Sequence, residues 1–122
     1  MIEGIKIQDK VNNGNLSLGK DEMRVEFREP HRKAIFKKFA NLSARVLKDS
    51  LGKGKTSDFS KPPYKYIIFK DIKSEVFIFP CRYSSGKTEI EFVISLKFKS
   101  SYRELCFKLE EIKEALKLLT RN

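Results

Sequence analysis

Between residues 88 and 99, Ile90, Phe92, Ile94, Leu96 and Phe98 share one parity, and Glu89, Glu91, Val93, Ser95, Lys97 and Lys99 share the other. Side chains alternate faces along an extended chain, so this period of two predicts a strand with one dry and one wet face. The segments "YKYIIFK" (64–70) and "EVFIFPCRY" (75–83) are rich in β-branched and aromatic residues and predict two more strands. The turns "DIKS" and "SSGK" separate the three, which gives an antiparallel meander. Pro80 has no N–H to donate to a ladder, so its strand is expected to lie at an edge or to bulge there. Phe77 and Phe79 are expected in the core.

Residues 4–27 read as two or three short strands. Ile5 and Ile7 alternate with polar neighbours, "NNGN" (12–15) marks a tight turn, and Met23, Val25 and Phe27 share a face. A period near 3.6 then appears. Ile35, Phe39, Leu42 and Val46 recur at 4-3-4 spacing, with Pro30 before them and Gly52 after, and predict an amphipathic helix over 30–51. On that helix Lys33, Lys37 and Lys48 project away from the apolar stripe, and Lys38 and Arg45 flank it. Residues 52–63, "GKGKTSDFSKPP", are aperiodic and predict a basic loop. A second helix is predicted over 101–120. Its stripe is Leu105, Leu109, Ile112, Leu116 and Leu119, Ser101 and Glu104 form a capping-box pattern, and its polar-face charges nearly cancel.

The reading is therefore one α+β domain over 1–122, an antiparallel meander with two amphipathic helices in the order β-β(-β)-α-loop-β-β-β-α. That order suggests a doubled strands-plus-helix unit, although no residue-level repeat accompanies it. In element order, a meander and then a long helix, 64–120 resembles the sheet-plus-helix single-strand binders: the positive-coactivator type, the PUR repeats and the Whirly proteins. The likeness covers about half of the chain and carries no site residue over. Several such binders form their groove as dimers, and a homodimer through exposed strand edges is compatible with the pattern.

Charge sharpens the picture. The net charge is +10, and residues 31–70 hold eleven Lys or Arg against two Asp, so +9 of it lies in forty residues. A local positive field recruits polyanions. No apolar run approaches the ~20 residues of a membrane helix. The opening residues lack the basic start and apolar centre of a signal peptide. Cys81 and Cys106 are expected as reduced thiols, and the chain as cytoplasmic.

Two Gly-Lys-Thr trios, at 54–56 and 86–88, raise the question of a phosphate-cradling loop. That loop needs a glycine five residues upstream, a strand before it and a helix after it. Asp49 and Cys81 stand at the upstream positions. The first trio follows a predicted helix and the second sits in a predicted hairpin, so both fail. His31 is the sole histidine and has no patterned partner. Alternation on a wet face accounts for Glu89 and Glu91. Nothing assembles a triad, a metal site or a cofactor box, and the expectation is a protein that is not an enzyme and takes no cofactor.

The cations point instead to nucleic acid, bound by phosphate neutralisation and by aromatic stacking on unpaired bases. The expected contacts are Arg32, Lys33, Lys37, Lys38, Arg45 and Lys48 from the helix and Lys53, Lys55 and Lys61 from the loop. Tyr64, Lys65, Tyr66, Arg82 and Tyr83 are expected from an open sheet face. Single-stranded DNA or RNA with little sequence specificity is the expected ligand. The alternative is a small inhibitor or adaptor that docks on an acidic protein surface.

Overall fold

The computed structural model describes residues 3–29, 33–53 and 64–121, with Lys53 described in its backbone only. Its order is β1 (Gly4–Gln8), β2 (Gly14–Gly19), β3 (Met23–Phe27), β4 (Ile35–Phe39) and α1 (Ala44–Lys53), then β5 (Tyr66–Lys70), β6 (Ser74–Arg82), β7 (Thr88–Phe98), β8 (Ser101–Lys108) and α2 (Leu109–Thr120). Each half is a four-stranded antiparallel meander followed by a helix. The class is α+β, and four strands followed by a helix occur twice.

Neither long helix forms over its full predicted span. The first segment divides into β4 and α1. Ile35 and Phe39 are four residues apart, a spacing that fits one helix face and equally one strand face. Pairing with β3 decides the matter, with Met23 opposite Phe39, Val25 opposite Lys37 and Phe27 opposite Ile35. The helix begins only after Ser43, whose Oγ accepts the N–H of Val46 at 3.3 Å and so caps α1. Its buried stripe is Ala44, Leu47 and Leu51, while Val46, placed in the stripe by the sequence pattern, is 43% exposed. Gly52 lies inside α1. The proposed start at Pro30 and most of the 52–63 loop lie outside the described residues.

The second segment divides the same way. Residues 101–108 form β8, paired along its whole length with β7. Leu105 and Phe107 are buried at alternate positions of a strand, and the stripe on α2 proper is Leu109, Ile112, Ala115, Leu116 and Leu119. No capping box forms. Ser101 Oγ donates to the Phe98 carbonyl at 3.1 Å, and Glu104 lies opposite Ser95.

One buried cluster takes Leu16, Leu18, Met23, Val25, Phe27 and Phe39 from the first sheet, Val76, Ile78, Phe92, Ile94, Leu105 and Phe107 from the second, and the inner stripes of both helices. The β1–β2 turn reaches across to the other sheet. Asp9 is buried and its Oδ1 accepts the N–H groups of Asn13 and Gly14, while Lys10 N–H donates to the Cys106 carbonyl at 2.9 Å. β5 ends its pairing with β6 at Ile78, so Pro80 sits where β6 has a ladder on the β7 side alone. Among the described residues no helix is long and apolar enough to cross a membrane.

Candidate nucleic-acid interface

The described part of the basic segment forms three elements: β4 at the edge of the first sheet, α1, and β5 at the edge of the second. The two edges are held together. The rings of Phe39 and Phe69 meet edge-on at 5.7 Å, and Lys37 Nζ lies 3.5 Å from Asp71 Oδ2 in the β5–β6 turn. Asp71 builds that turn by accepting through Oδ1 from Ser74 Oγ (2.7 Å), Ser74 N–H (2.6 Å) and Lys73 N–H (2.9 Å). The Ser74 hydroxyl, the two backbone donors and Lys37 together hold its carboxyl below the usual range.

A cleft opens where the two sheets meet. Its floor is Phe27, Ile35, Leu96 and Phe98, its rim carries Lys37, Lys73, Lys97 and Arg103, and its volume is about 140 Å³. Among the described residues no carboxylate lines it. Arg103 is held by Glu29 at 2.8 Å and Lys37 by Asp71. Lys73 and Lys97 have no carboxylate within 4.0 Å among the described residues. Phe36, on the outer parity of β4, stands at the mouth and is 70% exposed.

Lys73 and Lys97 also line a second hollow, of about 440 Å³, on the outer face of the second sheet. Lys97 N–H donates to the Lys73 carbonyl at 2.7 Å, so the two hollows share a wall. Lys65 and Lys70 add cations, Phe77 and Tyr102 add rings, and Asp71, Glu75 and Glu104 add opposing charge. Tyr102 is 68% exposed. Lys65 pairs with Glu75 and its Nζ stands 4.6 Å from the centroid of the Phe77 ring. Together the hollows form a strip from β4 across the β5–β6 turn to β8, with cations from five elements.

The expected contact residues divide among several places. Lys37 and Lys65 are on the strip. Lys38 lies on the outer face of the first sheet, where Glu22 bridges it and Arg24, each at 2.8 Å. Lys33 is exposed just before β4. Arg45 and Lys48 line a separate groove between α1 and the end of α2, with Lys20 and Arg121 but also Asp21 and Asp49; Lys48 Nζ donates to Thr120 Oγ1 at 3.1 Å. Tyr64 is exposed, with φ of 61°. Tyr66, expected on the open face, packs half-buried against the core. Arg82 and Tyr83 lie at the far end of β6 from the strip, about 25 Å along the strand. The Tyr83 hydroxyl accepts from Lys10 at 2.5 Å and donates to Glu89 at 3.2 Å. Arg32, Lys55, Lys61 and the side chain of Lys53 lie outside the described residues, as do His31 and the first Gly-Lys-Thr trio.

Two further expectations are corrected. Phe77 and Phe79 are not core residues: they lie half-buried on the outer face, where Phe77 is opposite Val93 and Phe79 opposite Glu91. Glu91, placed on the wet face by its parity, is buried, because the β1–β2 turn carries Lys10 over it and the ammonium meets its Oε2 at 2.5 Å. The second Gly-Lys-Thr trio lies in the β6–β7 turn, with Gly86 at φ 88°, and leads into a strand. No group of three or more candidate metal-ligating side chains occurs among the described residues.

Phe36, Lys70, Lys73, Lys97, Tyr102 and Arg103 were not among the expected contacts. Their signal is legible once β4 and β8 are read as strands, because Phe36 and Tyr102 then fall on the outer parity, where a ring is unusual. No family model matches the chain, and neither a curated protein nor a solved structure matches it.

Proposed function

We propose that this protein is a non-enzymatic binder of single-stranded nucleic acid, working in the cytoplasm, that holds the phosphate backbone along the strip between the two sheets. The observation that carries this reading is the shared wall at Lys73 and Lys97. It joins a cleft lined, among the described residues, by cations and no carboxylate to a hollow that holds the exposed Tyr102 ring, so phosphate contacts and a stacking surface run side by side. Lys37, Lys65, Lys70, Lys73, Lys97 and Arg103 act as phosphate contacts, and Phe36 and Tyr102 as stacking surfaces. Duplex fits less well, since its bases are already stacked and leave the rings nothing to hold. A homodimer would lengthen the track.

Titration of labelled oligo-dT, RNA and duplex at two salt concentrations tests this. Single-strand affinity should fall with a log–log slope of about −0.7 per phosphate contact. Lys73→Glu/Lys97→Glu should abolish most of the binding, while Arg45→Glu/Lys48→Glu, in the separate groove, should cost much less. The runner-up, an adaptor for an acidic protein, predicts no oligonucleotide binding even at low salt. An enzyme that processes nucleic acid predicts loss of the oligonucleotide in the same tube with added Mg²⁺.

A further inference from the structure

The strip is not uniform, and the cleft at its β4 end has a composition that simple backbone binding does not need. Phosphates call for cations alone. Here cations ring an apolar floor that three elements build, Phe27 from β3, Ile35 from β4, and Leu96 and Phe98 from β7, with Lys73 from the β5–β6 turn and Arg103 from β8 on the rim. Phe27 and Leu96 belong to the buried core, so the floor is rigid and its depth is set by the packing of the two sheets. Water gains little on such a floor, because an ordered water needs two to four polar partners. The fitting occupant has a flat, weakly polar body and negative charge close on either side.

We propose that the cleft takes one unpaired base turned out of the strand, lying against Phe36 and the Phe98 side, while its flanking phosphates rest on Lys73 and Lys97. This rests on the single-strand reading above and adds a base-binding subsite to it. The size agrees. About 140 Å³ corresponds to four or five waters at about 30 Å³ each, which is room for one ring system with its exocyclic groups and not for a stacked pair. The charge agrees too: the described lining holds four cations and no carboxylate, and while Glu29 pairs with Arg103 and Asp71 with Lys37, Lys73 and Lys97 have no carboxylate within 4.0 Å among the described residues. Phe36 explains itself in the same way. A ring that is 70% exposed among lysines contributes little to the fold, and a base stacked on it would cover it.

The test uses the full chain, a labelled twelve-nucleotide dT strand, the same strand with every base replaced by an abasic spacer, and the variant Phe36→Ala. The exposed position leaves the fold intact, which a thermal melt verifies. Phe36→Ala should weaken dT binding about 5- to 150-fold, the range of one lost base stack, without changing the salt slope. The abasic strand, which also loses stacking on Tyr102, should bind the unaltered protein more weakly by at least that factor, and Phe36→Ala should weaken it no further. A photoreactive 5-iodouracil in the strand should crosslink to Phe36 or Phe98, located by mass spectrometry. If dT and abasic strands bind alike, no base is read and the subsite is refuted while backbone binding stands. If dT is preferred but Phe36→Ala binds it normally and the crosslink maps elsewhere, the base sits at another place and the subsite is again refuted. If no strand binds at low salt and an acidic, Phe-containing peptide does, both the subsite and the single-strand reading fall.

Discussion

The ring of Phe39 in β4 meets the ring of Phe69 in β5 edge-on, with centroids 5.7 Å apart and planes 88° apart. The contact joins the edge strand of one sheet to the edge strand of the other, and so brings the two basic edges to one side of the molecule. Phe39 is buried and Phe69 packs on the core from its rim. Phe39→Ala is therefore expected to cost about 3–5 kcal/mol. A cycle with Phe69→Ala should return a coupling of about 0.5–1.5 kcal/mol, because the pair gains beyond the area it covers. Urea unfolding followed by circular dichroism measures both.

The Lys10–Glu91 pair is expected to behave as a partly buried ion pair. Glu91 is buried, and the hydrogen bond from Lys10 leads the effects that hold the ammonium pKa above its usual value. Lys10→Met leaves the carboxylate without its partner and should cost about 1–3 kcal/mol, less than a fully buried pair because Lys10 is partly open to water. Glu91→Ala should cost less, since the freed ammonium can swing out. The double variant Lys10→Met/Glu91→Leu should be no worse than Lys10→Met alone. Chemical denaturation of the four proteins decides it, and a double variant less stable than either single would contradict the account.

Gly14 opens β2 where the strand passes close to β3. A Cβ there would stand 2.0 Å from the Glu26 carbonyl oxygen and 3.1 Å from Leu105 Cδ2. The obstacle is backbone, which cannot rotate away. Gly14→Ala should lower stability by at least about 1–3 kcal/mol, with a matching drop in melting temperature. An alanine at Gly52, which meets nothing within 4 Å, is the control.

Asp71 ties the β5–β6 turn that carries Lys73 into the strip. Its carboxyl is held below the ordinary value of 3.8, so the ionised form is favoured by folding. The stability it lends is complete above that ordinary value and is lost as pH falls through the lower, folded-state value. Melting temperatures of the unaltered protein and of Asp71→Asn should differ by a constant amount from neutral pH down to about pH 5 and converge below about pH 4. A gap that persists at pH 2 would show that the charge is not what matters.

Cys106 should be a slow thiol. Burial, then the carboxylates of Glu91 and Glu104, push it up to about 11 from 9.0. Two units mean about 100-fold less thiolate at neutral pH. In a Cys81→Ser variant, alkylation by iodoacetamide at pH 7.5 should be slower than in the urea-unfolded chain by that order. Equal rates would refute the shift.

The strands of the second half were legible because period-two alternation is a local signal: Ile90 to Phe98 need no partner to declare their faces. The helices were half legible. Leu109, Ile112, Leu116 and Leu119 mark α2 well, but Leu105 continues the same four-residue step from a strand. Ile35 and Phe39 do the same before α1, because residues four apart share a face in both geometries. Ladder hydrogen bonds to β3 and β7 override that ambiguity, and no residue in 35–39 or 101–108 records them.

The interface follows the same division. The sequence by itself determined that the cations concentrate in 31–70, because charge is a property of composition. It also determined the α+β class, because hydrophobic period is local. Only the tertiary structure decided which cations stand together. The joining of edges at Phe39 and Phe69 puts Lys37 beside Lys73, Lys97 and Arg103, which lie 36 to 66 residues further along the chain. The fold also sends Arg45 and Lys48 to another groove and buries Glu91 under Lys10. The physical reason is that a field depends on distance in space, and contacts between distant segments set that distance.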